Sequence, residues 1–123
     1  VTVQDKPPRK TGIAHFFAAA GYSLGGLQRL SKESAFRQEV ALIAGLLVLF
    51  LALGASLPEV LGMLAIGLAL IAVEALNTAI EVLVDHLSPG WSQFAKDAKD
   101  LGSLAVACTI AGLLIYSAVV LIW

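Results

Sequence analysis

Apolar residues fall in three long runs along the chain, and polar residues collect before and between them. The first run, Val40–Leu57 ("VALIAGLLVLFLALGASL"), contains no charged residue. Its 18 residues reach about 27 Å as a helix, close to the ~30 Å hydrocarbon core of a bilayer. The second, Val60–Val84, opens with fourteen consecutive apolar or glycine residues before polar side chains interrupt it. The third, Leu104–Trp123 ("LAVACTIAGLLIYSAVVLIW"), is again uncharged. The pattern predicts an all-α membrane protein with three transmembrane helices, over residues 37–57, 59–86 and 91–123, the last range including the turn that leads into the span. Pro58 is expected to end the first span and force a tight turn into the second.

Ahead of the first span, Ile13, Phe16, Phe17, Ala20, Leu24 and Leu27 recur at three- and four-residue spacing. That stripe, with basic residues elsewhere and a membrane span next door, predicts an amphipathic helix over 12–36 lying in the interface plane. A break is expected near Gly21, Gly25 and Gly26. Residues 1–11, polar and proline-containing, read as disordered, so residues 12–123 make one membrane domain. Pro89-Gly90 marks a turn, after which "WSQFAKDAKDLGS" resumes a helical pattern that runs into the third span. No internal repeat is present.

Charge gives these helices a direction. Every Lys and Arg lies before the first span (Lys6, Arg9, Lys10, Arg29, Lys32, Arg37) or between the second and third (Lys96, Lys99). The positive-inside rule then puts the N-terminus and the second loop inside, and the short first loop and Trp123 outside. The first apolar run comes too late and is too long for a cleavable signal peptide. Composition agrees with lipid: 59% of residues are hydrophobic and 14% charged, against about 45–50% and about 25% in average soluble chains. A net charge of −1 without a basic, aromatic-interleaved patch gives no sign of nucleic-acid binding. The lone Cys108 rules out a disulfide framework and reads as a small buried hydrophobe.

The informative residues are those that do not suit a membrane. Glu74, Asn77, Glu81 and Asp85 fall within one ~80° arc of the second span, in its inner half. An ionised carboxylate in hydrocarbon costs from roughly 2.5 to more than 10 kcal/mol, so Glu74 is a functional-site candidate by default. A second stripe, Lys96, Lys99, Asp100 and Ser103, sits where the third helix begins, and Glu33 with Arg37 stands at the entry to the first. All three converge on one side of the membrane. Plainer readings stand beside this one. Asn77 can serve as helix–helix glue, and Glu33 with Arg37 can be an ordinary i,i+4 surface pair. Lys96, Asp97, Lys99 and Asp100 can be a solvated face, and Tyr22, Tyr116 and the two tryptophans interface anchors. Carboxylates near Lys and Arg at a water interface suit Mg²⁺ with a polyphosphate, and a further, poorly solvated carboxylate suits a general base. No GxxxxGK[ST] is present, and "GYSLGGL" is not a dinucleotide fingerprint. On the residues alone, a proton or cation relay competes with an enzyme.

"EALNTAIEVLVD" (Glu74–Asp85) resembles the signature of the prokaryotic diacylglycerol kinases, small three-span membrane enzymes. "AAGYS" (Ala19–Ser23), "ESAFRQE" (Glu33–Glu39) and "AKDLGSLAV" (Ala98–Val106) extend the resemblance in the family's order over nearly the whole chain from Gly12. The resemblance implies transfer of the γ-phosphate of MgATP to the primary hydroxyl of diacylglycerol in the bacterial cytoplasmic membrane. It also implies a homotrimer among membrane lipids, with active sites shared between protomers at the cytoplasmic interface. Carried over by motif, Glu74 is the general base, and Glu33 and Glu81 hold the metal that bridges the phosphates. Tyr22, Ser23, Lys99, Asp100 and His15 join them around the nucleotide, with Lys99 on phosphate. Ser103 and Arg37 lie with Glu74 toward the lipid substrate, while Asn77 and Asp85 support the site. Two departures stand out. His15 occupies the place of an expected nucleotide-contacting Arg, a loss that Arg9 is positioned in sequence to offset. One residue fewer separates "AAGYS" from "ESAFRQE", which would rotate the interfacial helix against the first span. Related undecaprenol kinases carry a different block where this chain has "ESAFRQE", so the resemblance favours diacylglycerol. Of the readings outside the family, a relay would tolerate removal of Mg²⁺, and an assembly subunit held by Asn77 alone would keep its oligomerisation, its only measurable property, in Glu74→Gln.

Overall fold

A computed structural model describes residues 3–123. It contains four helices in chain order, α1 Gly12–Leu30, α2 Ser34–Ala52, α3 Leu57–Leu87 and α4 Gln93–Ile122, and no strand among the described residues. Three of them, α2, α3 and α4, are long and apolar enough to cross a membrane. With 31 residues α3 runs for about 46 Å, past the hydrocarbon core and through the headgroup layer. The charged ends of α3 and α4 thus extend beyond the apolar thickness, which is why they tolerate Asp85, Lys96 and Lys99. Residues 3–11 have no regular secondary structure and are exposed. Of the segment expected to be disordered, Val1 and Thr2 lie outside the described residues.

Helix ends follow local chemistry, and two expectations are corrected there. The helix of the first span ends at Ala52, and Gly54, not Pro58, closes it. Gly54 takes φ +76°, and the Ala55 N–H donates to the Phe50 carbonyl at 3.0 Å while the Gly54 N–H reaches Leu51 at 3.2 Å. This paired closure needs a left-handed residue, which glycine supplies without a Cβ penalty. Pro58 instead opens α3 in its first turn, where its missing N–H costs nothing. Ser56 caps that turn reciprocally: its backbone N–H donates to Glu59 Oε2 at 2.6 Å, and its Oγ accepts from the Glu59 N–H at 3.4 Å. The second correction concerns α1, which runs unbroken through Gly21, Gly25 and Gly26, all at negative φ. Glycine costs a helix about 1 kcal/mol relative to alanine, and the alanine and leucine residues around these three absorb it. The helix stops at Leu30, short of residue 36, because Glu33 is extended and begins α2 as its cap.

The core follows one line on α3. Val60, Met63, Gly67, Leu70, Glu74, Asn77 and Val84 are its buried residues, together with Thr78. Their alternating three- and four-residue steps form a seam that packs mainly on α4 and then on α2. At the uncharged end the seam is apolar: Phe50, Val60, Met63, Leu70, Val106 and Leu113 form one cluster. There the Tyr116 hydroxyl donates to the Glu59 carbonyl at 2.9 Å, and its ring stacks on Phe50 at 6.4 Å. Gly62 makes room for it, since a Cβ at that position would overlap the phenol. Large apolar side chains such as Val48, Leu68, Leu104 and Ile115 face outward, as lipid contact requires. Cys108 is likewise exposed on α4, contrary to the expected buried site, because lipid and not the protein interior takes up apolar side chains here. Along α1, Ile13, Phe16, Phe17, Leu24 and Leu27 are exposed as one uncovered apolar stripe.

Removing the phenolic bond is a direct test of the α3–α4 contact at the uncharged end. Tyr116→Phe should lower unfolding stability by about 1 kcal/mol, the worth of one partly buried hydrogen bond. Denaturant titration in mixed micelles, followed by circular dichroism, measures it.

Candidate active site

Halfway along α3 the seam changes character. Where the spacing puts the next core side chains, the sequence supplies Glu74, Asn77 and Glu81 in place of hydrocarbon. Glu74 is 4% exposed. Across from it α2 presents Glu39, also 4% exposed, and the two carboxyl groups face one another within hydrogen-bonding reach. Thr78 offers its hydroxyl to Glu74 from the same helix, and Glu81 and Glu33 lie close enough for their charge to act on it. The Asn77 Nδ2 donates to Glu81 Oε1 at 3.4 Å. Two buried acceptors in this group, Glu39 Oε2 and Asn77 Oδ1, have no partner. The result is a knot of acceptors at the junction of the apolar and charged halves, with no buried cation among the described residues to satisfy it.

Glu39 was not singled out from sequence, although a signal for it exists. Counting back from the buried Phe50, an eleven-residue step returns to the same face of α2 at Glu39. Its position just ahead of the uncharged run disguises it as a flanking residue.

The structure repartners several candidate residues. Glu33 binds Arg29 Nη1 at 2.6 Å and not Arg37, because its extended cap conformation turns the side chain back toward α1. Arg37 Nη1 donates instead to the Ser31 carbonyl at 3.1 Å. Asp85 is exposed and receives Lys99 Nζ at 2.6 Å, linking the charged end of α3 to α4. Asp100 pairs with Lys96 along α4, and Ser103 is exposed beside them. Tyr22 and His15 lie apart from the carboxylates. They line a half-open cavity of about 640 Å³ on α1 that is bordered by the Pro7–Lys10 segment and includes Arg9 and Lys10. A positive φ at Gly12 swings that segment back over the helix. Ser23 lines a different groove, about 1060 Å³ between α1 and α3, walled by Leu27, Leu30, Leu68, Ile71 and Thr78 among others. Its hydroxyl is spent on the Ala19 carbonyl at 3.1 Å.

Among the described residues no group of three or more His, Cys, Asp or Glu is preassembled as a metal cage. Glu33 and Glu81, both partly exposed hard oxygen donors near Glu74, match the other mode, in which Mg²⁺ takes one or two carboxylates and completes its shell with water and phosphate. The donor set fits that ion and offers nothing to softer metals.

Fold and site together define a three-span membrane protein with a buried carboxylate centre midway along α3. The sequence matches the prokaryotic diacylglycerol kinase family over residues 21–121. It is 46% identical to a diacylglycerol kinase of Sinorhizobium sp over 115 residues, covering 94% of this chain and 84% of that one. It is 39% identical over 103 residues to a diacylglycerol kinase of Escherichia coli (strain K12), covering 81% and 83% of the two chains. A Helicobacter pylori diacylglycerol kinase is 36% identical over 119 residues, covering 95% and 88%. The chain belongs to the prokaryotic diacylglycerol kinase family of ATP-dependent lipid kinases.

The Lys99–Asp85 bridge is solvated on both sides, with side-chain exposures of 43% and 65%. Asp85→Asn should therefore leave the unfolding midpoint close to that of the wild type, as for other exposed pairs, in the same micelle titration.

Proposed function

We propose that this protein transfers the γ-phosphate of MgATP to the primary hydroxyl of diacylglycerol, giving phosphatidic acid. The observation that carries the reading is the burial of Glu74 against Glu39, at the depth where the apolar half of the α3 seam meets its charged half. A lipid hydroxyl at the membrane surface and a nucleotide from water meet at such a level. Glu74 accepts the hydroxyl proton as the lipid oxygen bonds to the γ-phosphorus. The bond from that phosphorus to the bridging oxygen breaks, and ADP leaves with the electron pair. Glu39 covers Glu74 from water and, within hydrogen-bonding reach, holds its carboxyl in place. Glu33 and Glu81 would hold Mg²⁺, which when bound neutralises the polyphosphate charge. Phosphoryl transfer depends mainly on positioning and charge stabilisation, so a site made of carboxylates and Lys99, without a phosphate loop, suffices.

The groove between α1 and α3 supports a lipid substrate, because its apolar wall ends at Thr78, which touches Glu74. The cavity over α1 supports a nucleotide pocket in which Arg9 and Lys10 supply the positive charge that His15 lacks. Ser103, Arg37 and Asp100 complete the polar rim. The enzyme sits in the bacterial inner membrane with its N-terminus inside and Trp123 outside, as the placement of all eight Lys and Arg supports. It assembles as a homotrimer with shared sites, a reading supported by the family resemblance and by the partial exposure of Glu33 and Glu81.

Transfer of label from γ-labelled ATP in mixed micelles, with dioleoylglycerol and undecaprenol offered separately, tests the reaction. Label should enter phosphatidic acid and vanish with EDTA; label in the polyprenol alone would move the substrate. Glu74→Gln should reduce kcat by at least about 100-fold with little change in KM for MgATP, the mark of a group that acts in the transition state. Glu81→Gln should instead raise that KM. A Glu74→Gln protein with wild-type turnover would remove the base assignment. For the pocket on α1, Arg9→Ala should raise the KM for ATP several-fold, about what loss of one charge-assisted contact costs, with kcat unchanged. Steady-state titration of ATP at saturating lipid reads it.

A further inference from the structure

Two close approaches join α3 to α4. At the uncharged end Gly62 meets Tyr116, and at the charged end Gly102 meets Asn77. They lie 15 residues apart along α3 and 14 along α4, so in this antiparallel pair they fix both sliding and rotation. At Gly102 a side chain of even one carbon would overlap Asn77 Oδ1. Asn77 is 8% exposed, and that oxygen has no hydrogen-bond partner. The amide thus has its acceptor side against α4 at Gly102, and its donor side faces Glu81 Oε1 at 3.4 Å. The reversed amide would set its oxygen against the Glu81 carboxylate, where nothing donates.

We propose that Gly102 is a positioning residue for the metal–nucleotide site: by leaving room for one orientation of Asn77, it aims the Asn77 amide at Glu81 and holds that carboxylate ready for the divalent cation. The proposal rests on the reading of Glu81 as a metal ligand. A methyl at position 102 turns Asn77 away, Glu81 loses its hydrogen bond, and its carboxylate is free to leave the coordinating direction. Groups that orient a ligating side chain typically matter 10–100-fold in metal affinity.

The test compares wild type with Gly102→Ala, Asn77→Ser, the Gly102→Ala/Asn77→Ser double variant and Gly62→Ala, all purified in detergent. Mn²⁺ is the probe, its binding followed by electron paramagnetic resonance with a non-hydrolysable ATP analogue. KM for MgATP, kcat and the unfolding midpoint are measured alongside. Gly102→Ala should weaken Mn²⁺ binding and raise KM for MgATP by on the order of 10-fold, with kcat at saturating MgATP retained. Gly62→Ala, which disturbs the same helix pair far from the carboxylates, should lower the unfolding midpoint and leave Mn²⁺ affinity unchanged. The double variant should bind Mn²⁺ as Asn77→Ser alone does, because the new methyl fills the space that the shorter side chain vacates. That comparison stands even if Gly102→Ala fails to assemble. Three results overturn the proposal: wild-type Mn²⁺ affinity in folded Gly102→Ala, a further loss in the double variant relative to Asn77→Ser, or an equal loss in Gly62→Ala. A wild-type protein that transfers phosphate but binds Mn²⁺ equally well as Glu81→Gln would remove the reading of Glu81 itself, and the proposal with it.

Discussion

Glu74 and Glu39 confront each other across the α2–α3 contact with almost no access to water, and the helices around them are arranged to make that tolerable. Neither carboxylate meets a buried cation, so the pair depends on Thr78 and on the polar residues one turn further along α3. Those residues fall on the same seam that carries Val60, Met63 and Leu70. One line of core positions therefore serves two purposes: its apolar half holds the bundle together, and its polar half is the candidate site. Packing at the uncharged end, with Tyr116 bonded to the Glu59 carbonyl and stacked on Phe50, supplies the rigidity that the polar half cannot supply for itself. A buried carboxyl pair is a liability for stability, and its presence in so small a protein points to chemistry, not architecture.

Much of this arrangement can be read from spacing. A run of 18 uncharged residues has few alternatives to a membrane span, and Glu74, Asn77 and Glu81 declare themselves by interrupting one. What escaped the sequence did so for identifiable reasons. Glu39 stands at the edge of an apolar run, where charge is ordinary, and its burial depends on how α2 leans on α3. The partner of Glu33 turned on a single residue's backbone: as an extended cap it reaches back to Arg29, whereas an assumed helix would have aimed it at Arg37. Gly54 and Pro58 are both turn residues, and the positive φ at Gly54 decides which of them ends the span. Gly102 and Gly62 look like neutral spacers until the side chains that occupy their empty volume are seen.

The proposed nucleotide pocket brings basic residues from outside α1 to a face of that helix where the family resemblance leads one to expect an Arg and the sequence has His15. His15 lies on the same face of α1 as Tyr22, and the turn at Gly12 lays Arg9 and Lys10 across that face. The positive charge that this face of α1 lacks stands in the segment in front of it, on Arg9 and Lys10. The apolar stripe of α1 lies on the other side of the helix, which leaves this cavity turned away from the lipid-facing residues.

The link between α2 and α3 bears on how such a protein is made. Between the end of one helix and the start of the next there are four residues, and near them a single charged side chain, Glu59. With the N-terminus inside, as proposed above, this hairpin is the part carried through the bilayer to the far side. Glu59 makes that passage with its carboxylate clipped to the Ser56 backbone N–H, within the first turn of its own helix. The cap that starts α3 thus also lowers the toll of translocating it, since the charge travels with part of its solvation replaced by the chain. Two helices joined so tightly, with one partly masked charge at the tip, can enter as a unit.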